Sequence, residues 1–364
     1  MVRKIFIIIS GILNALCIIA VIVCAVLLSH VKGTLITQQT ADRWGGDSEL
    51  RFAQVSAFFR TDESTSVSAI DALRARVATA LTESSLEAPD GGRLFTDAFS
   101  AEGRVTLSRG KDQTTVSAYG VGGDFFLFHP LELLSGGYIW GSDLMKDRII
   151  LDERIAWRFF GSSNVAGMEI TLNGTPFIIA GVVRPEADKY SQRVISGDPC
   201  VYVDYSVLSE TGLPGEGFAA TTAASGINCY EIVMPNPISN YALQTLRQTF
   251  SSESIDIVEN TSRYDSKRIS YLIKNFGSRS AENTGILYPY WENAARLSED
   301  YTALLTFIRN FFLILPLLTA AFLAVLGILA YRKRKDAILG KVKGFLGGII
   351  DRHRTKRYER RGRD

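Results

Sequence analysis

Residues 147–183 read DRIILDERIAWRFFGSSNVAGMEITLNGTPFIIAGVV, and this stretch carries the strongest secondary-structure signals in the chain. Residues 148–151 form a short apolar run typical of a buried strand. Asp152 can cap the helix that follows, and Gly161 supplies a C-terminal stop for it. The stretch therefore predicts a strand that leads directly into a short helix.

The second half of the same stretch predicts a β-hairpin. Residues 168–172 and 175–183 are strand-like and flank Asn173-Gly174. Asn-Gly is the preferred pair for a type I′ turn, because both residues tolerate positive φ. We therefore expect Asn173 and Gly174 to form the hairpin turn.

Helical and strand signals alternate on both sides of this stretch. Upstream, Ser68 with Asp71 resembles a capping box, and the helix after it has one apolar stripe. That stripe consists of Ile70, Leu73, Val77 and Leu81. Downstream, residues 229–234 and 255–258 predict strands on either side of a helix, a split β-α-β order. The central region is therefore predicted to be α+β.

Two long apolar runs flank this region. Residues 5–28 carry no charge, and residues 303–331 carry only Arg309. Each exceeds the roughly 20 residues that a transmembrane helix needs. The first run is longer than the core of a signal peptide and has no small-x-small cleavage site after it. We therefore favour an uncleaved membrane anchor over a signal peptide, and we predict two transmembrane helices.

The basic residues predict the orientation of these helices. Residues 332–364 contain 13 Lys and Arg against 4 Asp and Glu, and Arg3 and Lys4 precede the first apolar run. Such an excess is typical of the cytoplasmic side. We expect a cell (plasma) membrane protein with both termini cytoplasmic and an extracytoplasmic domain between the helices. That domain has 24 basic against 34 acidic residues, which makes nucleic acid a poor partner.

Aromatic and basic residues near the second apolar run suggest contacts with membrane lipid. Tyr288, Tyr290 and Trp291 suit the outer interfacial belt and precede a polar stretch that is predicted to be a stalk helix. On the inner side, a basic cluster follows the apolar run. The cluster consists of Arg332, Lys333, Arg334 and Lys335. The basic tail beyond it has helical spacing and is expected to lie on the inner leaflet. Charge that only sets the topology and a docking site for a cytoplasmic partner explain this tail equally well.

Four cysteines divide between the first apolar run and the extracytoplasmic domain. Cys200 and Cys229 are the only pair in the domain, a compartment that permits disulfides. We favour a bridge between them. Two buried free thiols are the alternative, because spacing alone does not show whether the two Cα atoms approach closely enough.

The sequence contains none of the motifs that would indicate catalysis. It has no G-x-x-x-x-G-K-[ST] nucleotide-binding motif, no G-x-S-x-G nucleophile elbow and no H-x-x-x-H or Cys/His cluster. We therefore predict a protein that is not an enzyme. It has no assigned catalytic residues, cofactor or metal site.

Five segments resemble a known family. They are residues 136–139 (GGYI), 149–153 (IILDE), 156–161 (AWRFFG), 165–167 (VAG) and 172–182 (LNGTPFIIAGV). In order and spacing, these segments are similar to the MacB-like periplasmic core domain of ABC-transporter permeases (the MacB/FtsX-like family), over about residues 34–260. In a full permease of this family, the resemblance implies one transmembrane helix, then the domain, then three further transmembrane helices. Only one helix follows the domain here, so the chain resembles a permease truncated to two transmembrane helices.

The resemblance implies a domain of two lobes. A porter-like lobe would consist of residues 40–125 and 228–260, with a mainly β lobe of residues 126–227 inserted into it. Together with the apolar runs, the resemblance predicts how the chain is divided. The divisions are a cytoplasmic N-terminus (1–4), helix 1 (5–28), the extracytoplasmic domain (29–290), a stalk (291–302), helix 2 (303–331) and a basic tail (332–364).

Two functions fit the predicted topology and the family resemblance. The first is a non-catalytic, permease-like subunit of an ABC-type export or envelope assembly. Its extracytoplasmic domain would couple to a partner ABC ATPase and an FtsX-like permease supplied in trans, or the chain would self-associate. The alternative is a stand-alone, membrane-anchored extracytoplasmic binding or scaffolding protein. Recovery of an ATPase with the chain from native membranes would separate the two.

Overall fold

The computed structural model describes residues 2–60, 65–86, 88, 92–195, 197–211, 213–214, 226–250, 255–274 and 285–361. The chain folds into two compact units. One unit consists of Leu28–Leu305, and the other of Met1–Leu27 with Thr306–Asp364.

Strands and helices alternate through Leu28–Leu305, and a long helix lies at each end of the chain. The strands are β1 Phe52–Phe59, β2 Thr96–Arg109, β3 Asp112–Gly123, β4 Glu132–Gly136, β5 Arg148–Asp152, β6 Glu169–Leu172, β7 Thr175–Arg184, β8 Cys200–Asp204, β9 Leu213–Pro214, β10 Cys229–Pro235 and β11 Ile255–Glu259. The helices are α1 Val2–Lys32, α2 Thr40–Gly45, α3 Val67–Glu83, α4 Phe125–Phe128, α5 Glu153–Phe160, α6 Ser191–Val194, α7 Tyr205–Thr211, α8 Tyr241–Thr249, α9 Ser266–Lys274 and α10 Tyr290–Arg361. The predicted mixture of helix and strand is confirmed.

The eleven strands of the described residues belong to one sheet. Nine of them follow the order β11-β1-β10-β2-β3-β8-β5-β7-β4, with β6 paired to β2 and β7 and with β9 paired to β2. The pairs β3–β8 and β5–β7 are parallel, and the other pairs are antiparallel. Strands β1, β10 and β11 are therefore neighbours, although long stretches of chain separate them.

The two faces of this sheet are covered by different helices. Along β10, Tyr230 and Ile232 pack in a cluster with the apolar stripe of α3 and with α8. Cys229 and Val233 point to the opposite face and join a cluster that contains Trp291 from the start of α10. Because side chains alternate across a strand, the face beneath α10 also receives the even-numbered residues of β1.

Helix α3 has the predicted stripe but a different cap. Its buried residues are Ile70, Leu73, Val77 and Leu81, as the spacing predicts. The N-cap is Ser66, whose hydroxyl accepts a hydrogen bond from the Ala69 backbone N–H. The predicted cap at Ser68 is wrong, because the helix begins at Val67 and Ser68 lies inside its first turn.

The strand, helix and hairpin of residues 148–184 follow their local signals. Asp152 caps α5 by accepting from the Arg154 backbone N–H at 2.7 Å, and Gly161 ends the helix with φ +67°. Asn173 and Gly174 connect β6 to β7 with φ of +47° and +90°. The glycine is needed there, since a φ near +90° strains residues that have a Cβ.

The second unit contains most of the apolar residues of α1 and α10. By length and composition, Lys4–Val31 and Tyr290–Lys333 are long and apolar enough to cross a membrane. Within this unit, Thr319 donates a hydrogen bond to the Asn14 side-chain oxygen at 2.8 Å, and Cys17 is buried. Small and polar side chains of this kind are common where membrane helices pack together.

Candidate functional site

The first turns of α10 bury polar side chains against the folded domain. Glu292, Ser298, Glu299 and Thr302 are each at most 2% exposed. They recur at helical spacing and so lie on one side of the helix. The helix therefore enters the domain with a polar side facing inward, which is costly unless each group has a partner.

Arg263 is the central partner. It lies in the turn after β11, is fully buried, and donates to both carboxylate oxygens of Glu292, at 3.3 and 2.6 Å. Its guanidinium is also 3.5 Å from Glu299. This two-point contact between a guanidinium and a carboxylate is the strong geometry for such a pair.

Further arginines complete the arrangement. Arg268 of α9 donates to Glu299 at 2.7 Å. Arg296, one turn after Glu292, donates to Glu292 at 2.9 Å and to Asp256 of β11 at 2.6 Å. We call Arg263, Arg268, Glu292, Arg296 and Glu299 the ion-pair joint. It ties β11, the turn after it and α9 to the start of α10.

The charges of the joint depend on one another. Burial acts to lower the pKa of Arg263, but Glu292 and Glu299 outweigh burial and hold that pKa above its usual value. Burial also raises the pKa of Tyr264 to about 12, and its hydroxyl lies 2.6 Å from the Ser298 hydroxyl. Arg263 and Arg296 therefore stay charged, and the carboxylates of the joint face compensating partners.

A second buried polar chain extends the joint into the sheet. His129 contacts Glu231 of β10, and Ser56 of β1 donates to the same carboxylate at 3.1 Å. Asn260, three residues before Arg263, donates to Ser56 at 3.1 Å. The His129 ring lies 4.3 Å from the Trp291 ring, measured between centroids. The sheet, the turn and the start of α10 therefore share one continuous buried contact network.

A cavity of about 200 Å³ lies beside this network. Its walls include Glu102 and Tyr119 from β2 and β3, Tyr202 of β8, Glu186 after β7 and Tyr290 of α10. Burial raises the pKa of Glu102 to about 7, although the Tyr119 hydroxyl partly opposes this shift. Burial likewise raises the pKa of Glu186, which accepts a hydrogen bond from Tyr290 at 2.6 Å. The cavity is polar and is walled in part by the first turn of α10.

The structure corrects the predicted disulfide. Cys200 and Cys229 are both free. They lie on β8 and β10, which β2 and β3 separate in the sheet. Three steps between adjacent strands amount to about 14 Å, beyond the Cα separation of about 7 Å that a disulfide tolerates. Cys200 instead lines the cavity, where burial raises its pKa to about 12 and keeps it a thiol.

The structure also corrects the interfacial aromatic belt. Trp291 is 2% exposed and Tyr288 is buried, so neither can lie among lipid headgroups. Tyr288 donates to Asp256 at 2.9 Å, and Tyr290 lines the cavity. Tyr288, Tyr290 and Cys200 are thus brought to the same cavity, which their separation in sequence did not suggest.

The remaining predicted residues lie apart from the cavity. Asn173 and Gly174 form their turn between β6 and β7. Arg332, Lys333 and Lys335 lie on α10 with exposed side chains, while the side chain of Arg334 and those of the tail beyond Lys335 lie outside the described residues.

The sequence prediction missed Arg263, Glu231, Glu102 and Glu186. One signal for the joint was present, because Glu292 and Arg296 are spaced i, i+4 and Glu299 lies two turns after Glu292. Such spacing is equally typical of a solvated helix surface. Only the packing of α10 on the sheet distinguishes the two cases.

A sequence profile of the MacB-like periplasmic core domain matches residues 6–229. Similar solved structures include the periplasmic region of MacB from Actinobacillus actinomycetemcomitans, at 17% identity and a TM-score of 0.41, over 61% of this chain and 92% of that chain. Another is the extracellular domain of the noncanonic ABC-type transporter YknZ from Gram-positive bacteria, at 15% identity and a TM-score of 0.36, over 56% and 99%. No curated protein matches the chain. The profile extends over more than half of the 364 residues, and the chain therefore belongs to the family of the MacB-like periplasmic core domain.

Proposed function

We propose that the chain is a non-catalytic, permease-type subunit of an ABC-type export or envelope assembly. Membership of the family and the two apolar helices fit a membrane protein with an extracytoplasmic domain. In this proposal, an ABC ATPase and an FtsX-like permease, or a second copy of the chain, act in trans. The extracytoplasmic domain and α10 then transmit the ATP-driven motion of these partners.

The ion-pair joint is the observation that supports this role most strongly. A helix that merely anchors a domain needs no buried charges where it leaves that domain. Here Glu292 and Glu299 of α10 and Arg263 of the turn after β11 are all buried, and their contacts with one another and with Arg268 fix the helix to that turn and to α9. Removing one partner of a buried ion pair typically costs about 3–5 kcal/mol. The helix and the domain would therefore move together.

The proposed topology has both termini in the cytoplasm. The basic cluster Arg332–Lys335 after the second apolar run supports it, because such clusters remain on the cytoplasmic side and bind anionic lipid. We keep the division into stalk 291–302, span 303–331 and tail 332–364 as part of this proposal, within the single helix α10.

The two-lobe organisation is also part of the proposal. The strands of residues 126–227, β4 to β9, pair mainly with one another and adjoin the other strands at β2 and β3. That arrangement supports an inserted, mainly β lobe next to a porter-like lobe of residues 40–125 and 228–260.

Purification from native membranes tests the partner. The full chain, tagged in the extracytoplasmic domain, would be extracted in mild detergent and its companions identified by mass spectrometry. We expect to recover an ATPase with a nucleotide-binding motif. Recovery of none, under conditions that keep a known ABC transporter intact, would overturn the proposal.

A matched pair of variants then tests the joint within the assembly. Arg263→Met removes the buried guanidinium, while Arg158→Met removes an exposed guanidinium that pairs with Asp112. In the assembly, we expect ATP to protect the domain from protease. Both variants should still co-purify with the ATPase, but only Arg263→Met should lose that protection. Equal protection in both variants would show that the ion-pair joint is not needed to transmit the motion.

A stand-alone extracytoplasmic binding protein is the second candidate. The polar cavity beside α10 favours it, since a binding protein needs such a site. Ligand binding by a chain that purifies without an ATPase would favour this alternative.

A further inference from the structure

Most of the charged side chains that line the cavity at the start of α10 are acidic. Four of the side chains that line it are carboxylates and one is a guanidinium. The guanidinium, Arg154, is already occupied: it lies 2.8 Å from the Asp152 carboxylate and donates to the Gly197 carbonyl oxygen at 2.6 Å. Among the described residues that line it, the cavity therefore offers acceptor oxygens without an available cation.

Two of these carboxylates each face the hydroxyl of a tyrosine. Glu186 accepts from the Tyr290 hydroxyl at 2.6 Å, and Glu102 lies opposite Tyr119 in the β2–β3 pair, where the Tyr119 hydroxyl acts to lower its pKa. A phenol stabilises a buried carboxylate less than a cation does. Burial accordingly raises the pKa of both carboxyl groups. A positively charged ligand would supply the missing partner.

Aromatic rings surround the same space. The rings of Tyr119 and Tyr202 are stacked with centroids 5.5 Å apart, and the Tyr290 ring lies 6.0 Å from that of Tyr119. Aromatic rings together with carboxylates are the usual surroundings of organic ammonium groups in proteins. The volume of about 200 Å³ exceeds the roughly 10–15 Å³ of cavity that one water molecule needs and accommodates a short aliphatic chain.

A metal ion fits these walls less well. Among the residues that the structure describes, no three His, Cys, Asp or Glu side chains are grouped so that they could hold a metal ion. The Cys200 thiol in the wall stays protonated, because burial raises its pKa to about 12. An anion would meet four carboxylates. An organic cation is the class that remains.

We infer that this cavity binds a small organic molecule through a primary ammonium group, which donates to Glu102 and Glu186 and lies among Tyr119, Tyr202 and Tyr290. The inference does not depend on the proposed transport function, because binding requires no partner chain. Since Tyr290 belongs to the first turn of α10, an occupied cavity would also brace the start of that helix.

Calorimetric titration of the full chain in detergent tests the inference. The probe is 1,4-diaminobutane, and 1,4-butanediol serves as its neutral counterpart of similar size. We expect saturable binding of the diamine and none of the diol, at equal ionic strength. Equal behaviour of the two compounds, or no binding of the diamine at millimolar concentration, would overturn the inference without any variant having to fold.

Two variants locate the site. Glu102→Gln and Glu186→Gln keep the side-chain shape and remove the charge, so each should weaken binding of the diamine at least tenfold. Glu169→Gln, on the exposed side of β6, is the matched control and should bind as the unaltered chain does. If all three variants bind equally, the diamine binds elsewhere and the inference is wrong. An ATPase that still co-purifies would leave the proposed function standing.

Discussion

Loss of the buried Arg263 side chain should destabilise the domain. Replacing it by Met removes the two-point partner of buried Glu292 and the more distant of the two cations beside Glu299. Removal of one partner from a buried pair costs about 3–5 kcal/mol. We therefore expect Arg263→Met to lower the midpoint of thermal unfolding markedly, as followed by tryptophan fluorescence. The control is Arg158→Met, because its exposed pair with Asp112 contributes at most about 1 kcal/mol. Equal midpoints would mean that the joint contributes no more than a surface pair.

Glu102 should make the stability of the domain depend on pH near neutrality. Its folded-state pKa of about 7 lies above the ordinary 4.5, so the folded state holds this proton more tightly than the unfolded state does. This proton therefore contributes up to about 3 kcal/mol to the free energy of unfolding. The contribution is fully present below about pH 4.5 and is lost as the pH rises through 7. We expect the unfolding midpoint of the unaltered chain to fall between about pH 5 and pH 8.

Glu102→Gln isolates that contribution. The amide does not titrate, so the variant should lose less stability over the same pH range. Burial also raises the pKa of Glu186 and Glu259, and both contribute in the same direction in either protein. Parallel pH profiles for the variant and the unaltered chain would show that Glu102 has an ordinary pKa.

At the scale of elements, helix α3 gives a direct test of the corrected cap. Ser66 accepts from the Ala69 backbone N–H, whereas Ser68 lies inside the first turn of the helix. Loss of an N-cap hydroxyl costs about 0.5–2 kcal/mol. We expect Ser66→Ala to lower stability by about 1 kcal/mol in thermal unfolding and Ser68→Ala to lower it less. A larger loss of stability in Ser68→Ala than in Ser66→Ala would show that Ser68 is the N-cap.

Elements with local signals were predictable from the sequence, and their contacts were not. The stripe of α3, the Asp152 cap and the Asn173-Gly174 turn depend on residues within a few positions of one another. The joint instead depends on Arg263 meeting a helix about 30 residues further along the chain. Such pairs are set by the order of strands in the sheet, which local periodicity does not specify.

The same reason explains the two corrected sites. Cys200 and Cys229 looked like a pair because they are the only cysteines of the domain, but strand order places β2 and β3 between them. Trp291 looked interfacial because it precedes an apolar run. It is buried because α10 begins within the domain, where the Trp291 ring lies 5.5 Å from that of Tyr119.

At the scale of the whole molecule, the proposed topology makes a labelling prediction. The four native cysteines would be replaced, and single cysteines introduced as Asp112→Cys in the turn-proximal end of β3 and Thr355→Cys in the basic tail. An impermeant maleimide applied to spheroplasts or intact protoplasts should label the first cysteine only. After permeabilisation it should label both. In the proposed topology, the excess of Lys and Arg after Tyr331 would retain the tail in the cytoplasm, and the acidic domain would be exported. Labelling of the tail in intact cells would reverse the proposed orientation. An assembly driven by a cytoplasmic ATPase would then have its MacB-like domain on the wrong side of the membrane, and the permease-type role would fall with the topology.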